Sequence, residues 1–153
     1  MRQDVSNRRL LRLATFLKTV PKERFDFSHW VGRGWDGRQD LSCGTTACAL
    51  GWAATIPFFR RLGLRLARYG ENIGYVTCGD GTSPYWASVA AAQMVFGLNY
   101  DEVEFIFIPN GWIGEIGETC RGEIGLARDA TPREVARHIE RFVRLRKPIE
   151  AEA

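Results

Sequence analysis

A chain of 153 residues has the length of one domain, enough to bury roughly two-thirds of the surface its unfolded form exposes, so folding requires no disulfide or metal. Apolar residues make up 45%, with five Trp, nine Phe and four Tyr, which excludes a disordered segment. A net charge of +3 from 21 basic and 18 acidic side chains is too small to argue for nucleic acid by bulk field alone, and no window approaches the roughly 18 apolar residues of a membrane span.

The start, Met1-Arg2-Gln3-Asp4, leads into an arginine-rich amphipathic stretch rather than the apolar core of a signal peptide. A cytoplasmic protein with reduced cysteines and no membrane partner is expected. The first helix is predicted over 7–19, with Ser6 as its cap and Pro21 beyond its end. Leu10, Leu13, Ala14 and Leu17 share one side of it, and Arg8, Arg12, Thr15 and Thr19 the other. Residues 21–42 read as a long irregular connection whose Phe25, Phe27, Trp30 and Trp35 plug into the core. A threonine cap then opens a central helix from Ala47 toward Pro57 that is apolar nearly all round, and one more turn follows the proline until Gly63. Residues 64–78 change to a short β-hairpin around Gly70 and Gly74.

Ser83-Pro84 opens a second buried, alanine-rich helix that runs to Phe96 and stops at Gly97. Asn99 caps a short acidic helix. Residues 109–130 carry Gly111, Gly114, Gly117, Gly122 and Gly125, a surface or partner-binding loop without phosphate-loop or calcium-loop spacing. Thr131-Pro132-Arg133-Glu134 is a capping box with proline at the first helical position, opening a last helix to about Arg146. The fold class expected is mainly α (α+β): one compact helical domain over 1–147, with two buried central helices and one small β-hairpin, and a frayed tail over 148–153.

Chemistry concentrates in Cys43-Gly44-Thr45-Thr46-Ala47-Cys48-Ala49-Leu50-Gly51-Trp52. This stretch resembles the Cys-Gly-Thr-x-x-Cys-x-x-Gly-Trp motif of a group of small uncharacterised phage and bacterial proteins. The similarity extends to the opening helix, to Phe25-Asp26-Phe27-Ser28-His29-Trp30, to Phe96-Gly97-Leu98 and to the capped last helix. It implies a small protein of phage or mobile-element type and carries no established activity.

The residues themselves admit several readings. Cys43 and Cys48 can be small apolar packing residues. Cys48, near a helix N-terminus, can be a nucleophile with His29 as base, giving a thiol-dependent hydrolase or transferase; His138 is placed beside the buried face of the last helix. Cys43, Cys48, Cys78 and Cys120, or three of them with His29, can hold zinc, although the spacing is loose for it. A Cys43–Cys48 bridge can act as a redox switch. Separately, Arg133, Arg137, Arg141 and Arg144 recur every three or four residues and form one basic stripe, either a solvated face or a phosphate-binding surface. The expectation drawn from these is a non-enzymatic binding or regulatory protein without cofactor, acting through a protein partner or, second, a nucleic acid.

Overall fold

The computed structural model describes residues 1–32, 35–41, 45–70, 73–79, 83–109 and 126–146. Helix α1 (Gln3–Leu17) buries Leu10, Leu13, Ala14 and Leu17 along one stripe, as their spacing dictates. It starts a turn earlier than the sequence suggested. Arg2 occupies the N-cap position, and Ser6 is a buried interior residue whose hydroxyl donates to the Phe96 carbonyl at 2.5 Å. A serine competent to cap serves instead in a tertiary contact.

After a short 3₁₀ turn (Lys22–Arg24) the chain runs extended into α2 (Ala49–Ala53), every residue of which is buried. Its N-cap residue is Cys48, with no side-chain cap. The expected threonine cap is therefore corrected: Thr45 and Thr46 lie before the helix, their carbonyls taken by Arg24 Nε and Gly32 N–H. Pro57 cannot donate to the carbonyl four residues back, so α2 ends and the proline opens α3 (Pro57–Arg61) at its first position.

Strands β1 (Arg65–Tyr69) and β2 (Ile73–Thr77) pair antiparallel, with Leu66 opposite Val76 and both side chains in the core. Ser88 of α4 (Pro84–Phe96) donates to the Val76 carbonyl and accepts from the Val76 N–H, at 3.0 and 3.1 Å, fastening the helix along β2. Gly97 ends α4 at φ +65, where a side chain would be strained and would also meet Met1.

Capping boxes open both remaining helices: Asn99 with Glu102 for α5 (Tyr100–Phe107), and Thr131 with Glu134 for α6 (Pro132–Leu145). The Phe59, Phe96 and Phe107 rings meet in sequence at tilted angles in the centre, each fully buried. The fold is thus mainly helical with one antiparallel hairpin. No described helix is long and apolar enough to cross a membrane. The tail over 148–153 and most of the glycine-rich loop lie outside the described residues.

Candidate functional site

The Cys-Gly-Thr-x-x-Cys-x-x-Gly-Trp stretch is bound along its described length to residues 24–32. Arg24 N–H groups reach the Thr45 and Leu41 carbonyls, Asp26 N–H donates to Ala47 O, Gly32 N–H to Thr46 O, and Cys48 N–H to His29 O. Ala47 bridges Phe25 on one side and Val31 on the other. Trp52 Nε1 donates to the Arg24 carbonyl at 3.0 Å, and the Arg24 guanidinium lies over the same indole. The motif therefore binds a neighbouring segment of its own chain.

Gly51 explains itself in this setting. A Cβ there would stand 2.1 Å from the Trp30 carbonyl oxygen and 2.7 Å from Ala47 Cβ, so the 24–32 segment can lie against α2 only where the helix has no side chain. Gly32 is similar, its added Cβ meeting Thr46 Oγ1 at 2.2 Å.

Cys48 is 1% exposed and its sulfur faces the Trp30 carbonyl at 3.9 Å. Burial pushes its thiol up to about 12; the Gly51 and Leu50 N–H groups oppose this, and Asp26 adds to it. At neutral pH it is a protonated, enclosed thiol. His29 is half exposed and engaged elsewhere: its Nδ1 lies 2.8 Å from Asp26 Oδ2 and 3.0 Å from Ser28 Oγ. Since a carboxylate only accepts, Nδ1 carries the proton in that bond. Burial alone would raise Asp26, but hydrogen bonds from Ser28 and His29 outweigh it and hold the carboxyl below its usual value. The fold joins Cys48 and His29 through the backbone, and no hydrogen bond links thiol to imidazole.

His138 Nε2 is bonded to the Phe105 carbonyl at 2.9 Å and its ring packs on the Phe105 ring. Cys78 is part-buried at the end of β2, its thiol raised by burial against the opposing effect of Arg65. Cys43 and Cys120 lie outside the described residues, so neither the four-cysteine set nor the Cys43–Cys48 bridge has a geometry here. Among the described residues no group of three or more His, Cys, Asp or Glu side chains is placed to hold a metal ion.

The arginines are arranged differently. Arg133, Arg137, Arg141 and Arg144 are all exposed, opposite buried Val135, Ile139 and Phe142. Helix α6 packs along α1 in the opposite direction: Lys18 pairs with Glu140, while Arg146 reaches Ser6 and Asn7. Glu140 lies one turn from both Arg137 and Arg144, so the stripe borders the α1 seam. On the other flank of α1, Arg12 stacks over Phe58 of α3 at 4.2 Å, and Arg61, one turn on from Phe58, is exposed. Helix α6 thus lies along one flank of α1, and α3 meets the other flank at the Arg12–Phe58 contact. Residues 1–18 and 132–146 carry ten basic and three acidic side chains, leaving 11 basic and 15 acidic for the rest.

The outer side of α1 is indented. A shallow hollow of about 580 Å³ has Leu11, Phe16 and Ile56 in its lining and Arg8 and Arg12 at its edge; a second, about 300 Å³, shares those arginines and includes Phe58. The sequence displayed the arginine spacing. It gave no signal for Arg24, because a guanidinium that ties carbonyls together has no periodicity to reveal it.

No family model, curated protein or solved structure matches the chain.

Proposed function

We propose that this is a cytoplasmic, non-enzymatic binding protein that takes up a polyanionic partner, a nucleic acid, on the outer surface of α6 and α1. The observation that carries the reading is the segregation of charge: a chain of net charge +3 concentrates ten basic side chains against three acidic ones in two packed segments. Exposed arginines at helical spacing present planar donors at intervals suited to successive phosphates. Glu134, the acid beside the first of them, is occupied in its capping box.

Thiol catalysis draws less from the geometry, because a nucleophile must be reachable and ionisable, and Cys48 is enclosed with its thiol held protonated. A second reading, an acidic and apolar protein segment, is favoured by the hollow beside Arg8 and Arg12, which has an apolar lining that a phosphate backbone does not need.

Fluorescence anisotropy with labelled duplex and single-stranded oligonucleotides tests the proposal. Binding is expected at low salt and should weaken steeply as salt rises. Replacing Arg137, Arg141 and Arg144 by Ala should lower the salt slope by about one unit for each phosphate that is no longer neutralised. Absence of binding at low salt, or affinity unchanged in the triple variant, would overturn it. Capture of a protein that survives the triple replacement but fails with Leu11→Glu would establish the second reading instead.

A further inference from the structure

Opposite in character to the arginine surface is the hairpin of α4 and α5. Residues 83–109 contain Asp101, Glu102 and Glu104 and no lysine or arginine. Trp86 in the first turn of α4 is 57% exposed, an unusual position for the largest apolar side chain. It is not isolated. Its ring meets the Tyr85 ring edge-on at 5.0 Å and the Tyr100 ring at 5.7 Å, and the two tyrosine hydroxyls are hydrogen-bonded to each other at 3.0 Å. From Trp86 the exposed edge of α4 continues through Ala90 and Met94.

Behind these rings lies a second, independent feature. Glu104 is 5% exposed, the Tyr100 hydroxyl donates to its carboxylate, and no basic side chain pairs with it among the described residues. A buried carboxylate without a cation is costly, and a fold tolerates it when hydrogen bonds or an incoming charge compensate. Tyr100 stands beside it: burial, Glu104 and Tyr85 together hold that phenol well above its ordinary range, and burial likewise raises Tyr85. Phenols kept protonated beside a carboxylate direct their dipoles toward it, which leaves their ring faces richer in electron density.

We infer that Trp86, Tyr85 and Tyr100, backed by Glu104, form a binding site for a cationic side chain, an alkylammonium or guanidinium, carried by a partner polypeptide. The rings supply electron-rich faces within cation–π range of one another, and the Glu104 carboxylate supplies a negative charge that has no cation beside it among the described residues. The exposed Ala90 and Met94 edge extends the contact to apolar residues following the cation. This site faces a ligand of the opposite sign from the arginine surface, so its test stands apart from that of the nucleic-acid reading.

Choline is the probe, with 3,3-dimethylbutanol as its uncharged counterpart of similar shape, and the Trp86 indole resonance is the readout. Choline should shift that resonance saturably, and the alcohol should bind about tenfold more weakly. Glu104→Gln should weaken choline and leave the alcohol unchanged. Trp86→Ala, at an exposed position where folding is undisturbed, should abolish the choline-induced shifts of the Tyr85 and Tyr100 resonances. Equal binding of choline and alcohol would overturn the inference in favour of a purely apolar docking face. Absence of any saturable shift would overturn it outright. So would a fall in sedimentation coefficient on Trp86→Ala, because the ring would then be covered by a second copy of the chain.

Discussion

Gly51 and Cys48 lie three residues apart on the same buried turn, and each is constrained by the Trp30 carbonyl. At Gly51 the constraint is contact: a methyl group would have to displace backbone, since the atom 2.1 Å away is a carbonyl oxygen and not the end of a flexible side chain. Gly51→Ala should therefore cost about 1–3 kcal/mol despite the higher helix propensity of alanine. Chemical denaturation measures it, and a variant as stable as the parent would mean that residues 24–32 do not rest on α2. At Cys48 the constraint is desolvation. The folded thiol is raised from 9.0 to about 12, so between these values the unfolded state ionises while the folded state does not. Stability from this group is intact below about pH 9 and is lost as pH rises toward 12. Wild type should lose about 1 kcal/mol more than Cys48→Ala between pH 8 and pH 10. Equal losses in the two proteins, or alkylation of native Cys48 as fast as a free peptide thiol, would show the sulfur to be open to water.

At the scale of elements, the helix ends are the most heavily specified features. Thr131 accepts from the Glu134 N–H at 3.2 Å while the Glu134 carboxylate accepts from the Thr131 N–H at 3.3 Å, so two otherwise unpaired donors are satisfied reciprocally. Thr131→Ala should cost about 1 kcal/mol in urea denaturation, and Thr131→Ser should recover most of it; a Ser variant as weak as Ala would mean the hydroxyl is not the capping group. These signals act over three residues, which is why α4 and α6 could be located from sequence at both ends or nearly so, and α5 at its start. The hairpin was legible from its turn and its alternation. Ser6 and the threonines before α2 misled because serine and threonine bond equally well to a helix N-terminus, to a distant carbonyl or to nothing, and only the tertiary fold chooses. The Cys-Gly-Thr segment was visible as a motif, but its use in docking residues 24–32 was not, since that depends on backbone contacts about twenty residues apart. The aromatic cluster was hidden for the same reason: Trp86 and Tyr100 belong to different helices, and the alanine-rich pattern that marks α4 as buried does not mark its one exposed edge.

For the molecule as a whole, charge segregation sets what stability and binding should do when arginines are removed. The four α6 arginines repel one another and those of α1 across a surface whose Debye length at 0.1 M salt is about 10 Å. Arg133 and Arg137 contribute little to holding the fold, because the helix is fixed by its opposite face, where Val135 and Ile139 are fully buried. Replacing Arg133 and Arg137 together by Ala should therefore change stability by no more than about 0.5 kcal/mol per site. Any change should be toward greater stability at low salt and vanish at high salt. Arg146, at the C-cap of the same helix, is a different case. Its side chain is 11% exposed and bonds Ser6 Oγ at 2.7 Å and Asn7 Oδ1 at 3.0 Å, with the Glu102 carboxylate 3.5 Å away. Removing it takes a shared donor from three polar groups at the junction of α1, α5 and α6, so Arg146→Ala should cost about 1–3 kcal/mol and depend little on salt. Urea denaturation of both variants at about 50 and 500 mM salt, bracketing the screening range, decides the matter. Were the Arg133/Arg137 variant the weaker of the two, the stripe would be a structural network holding α6 to its neighbours, and the surface proposed to receive a polyanion would be occupied by the protein's own contacts.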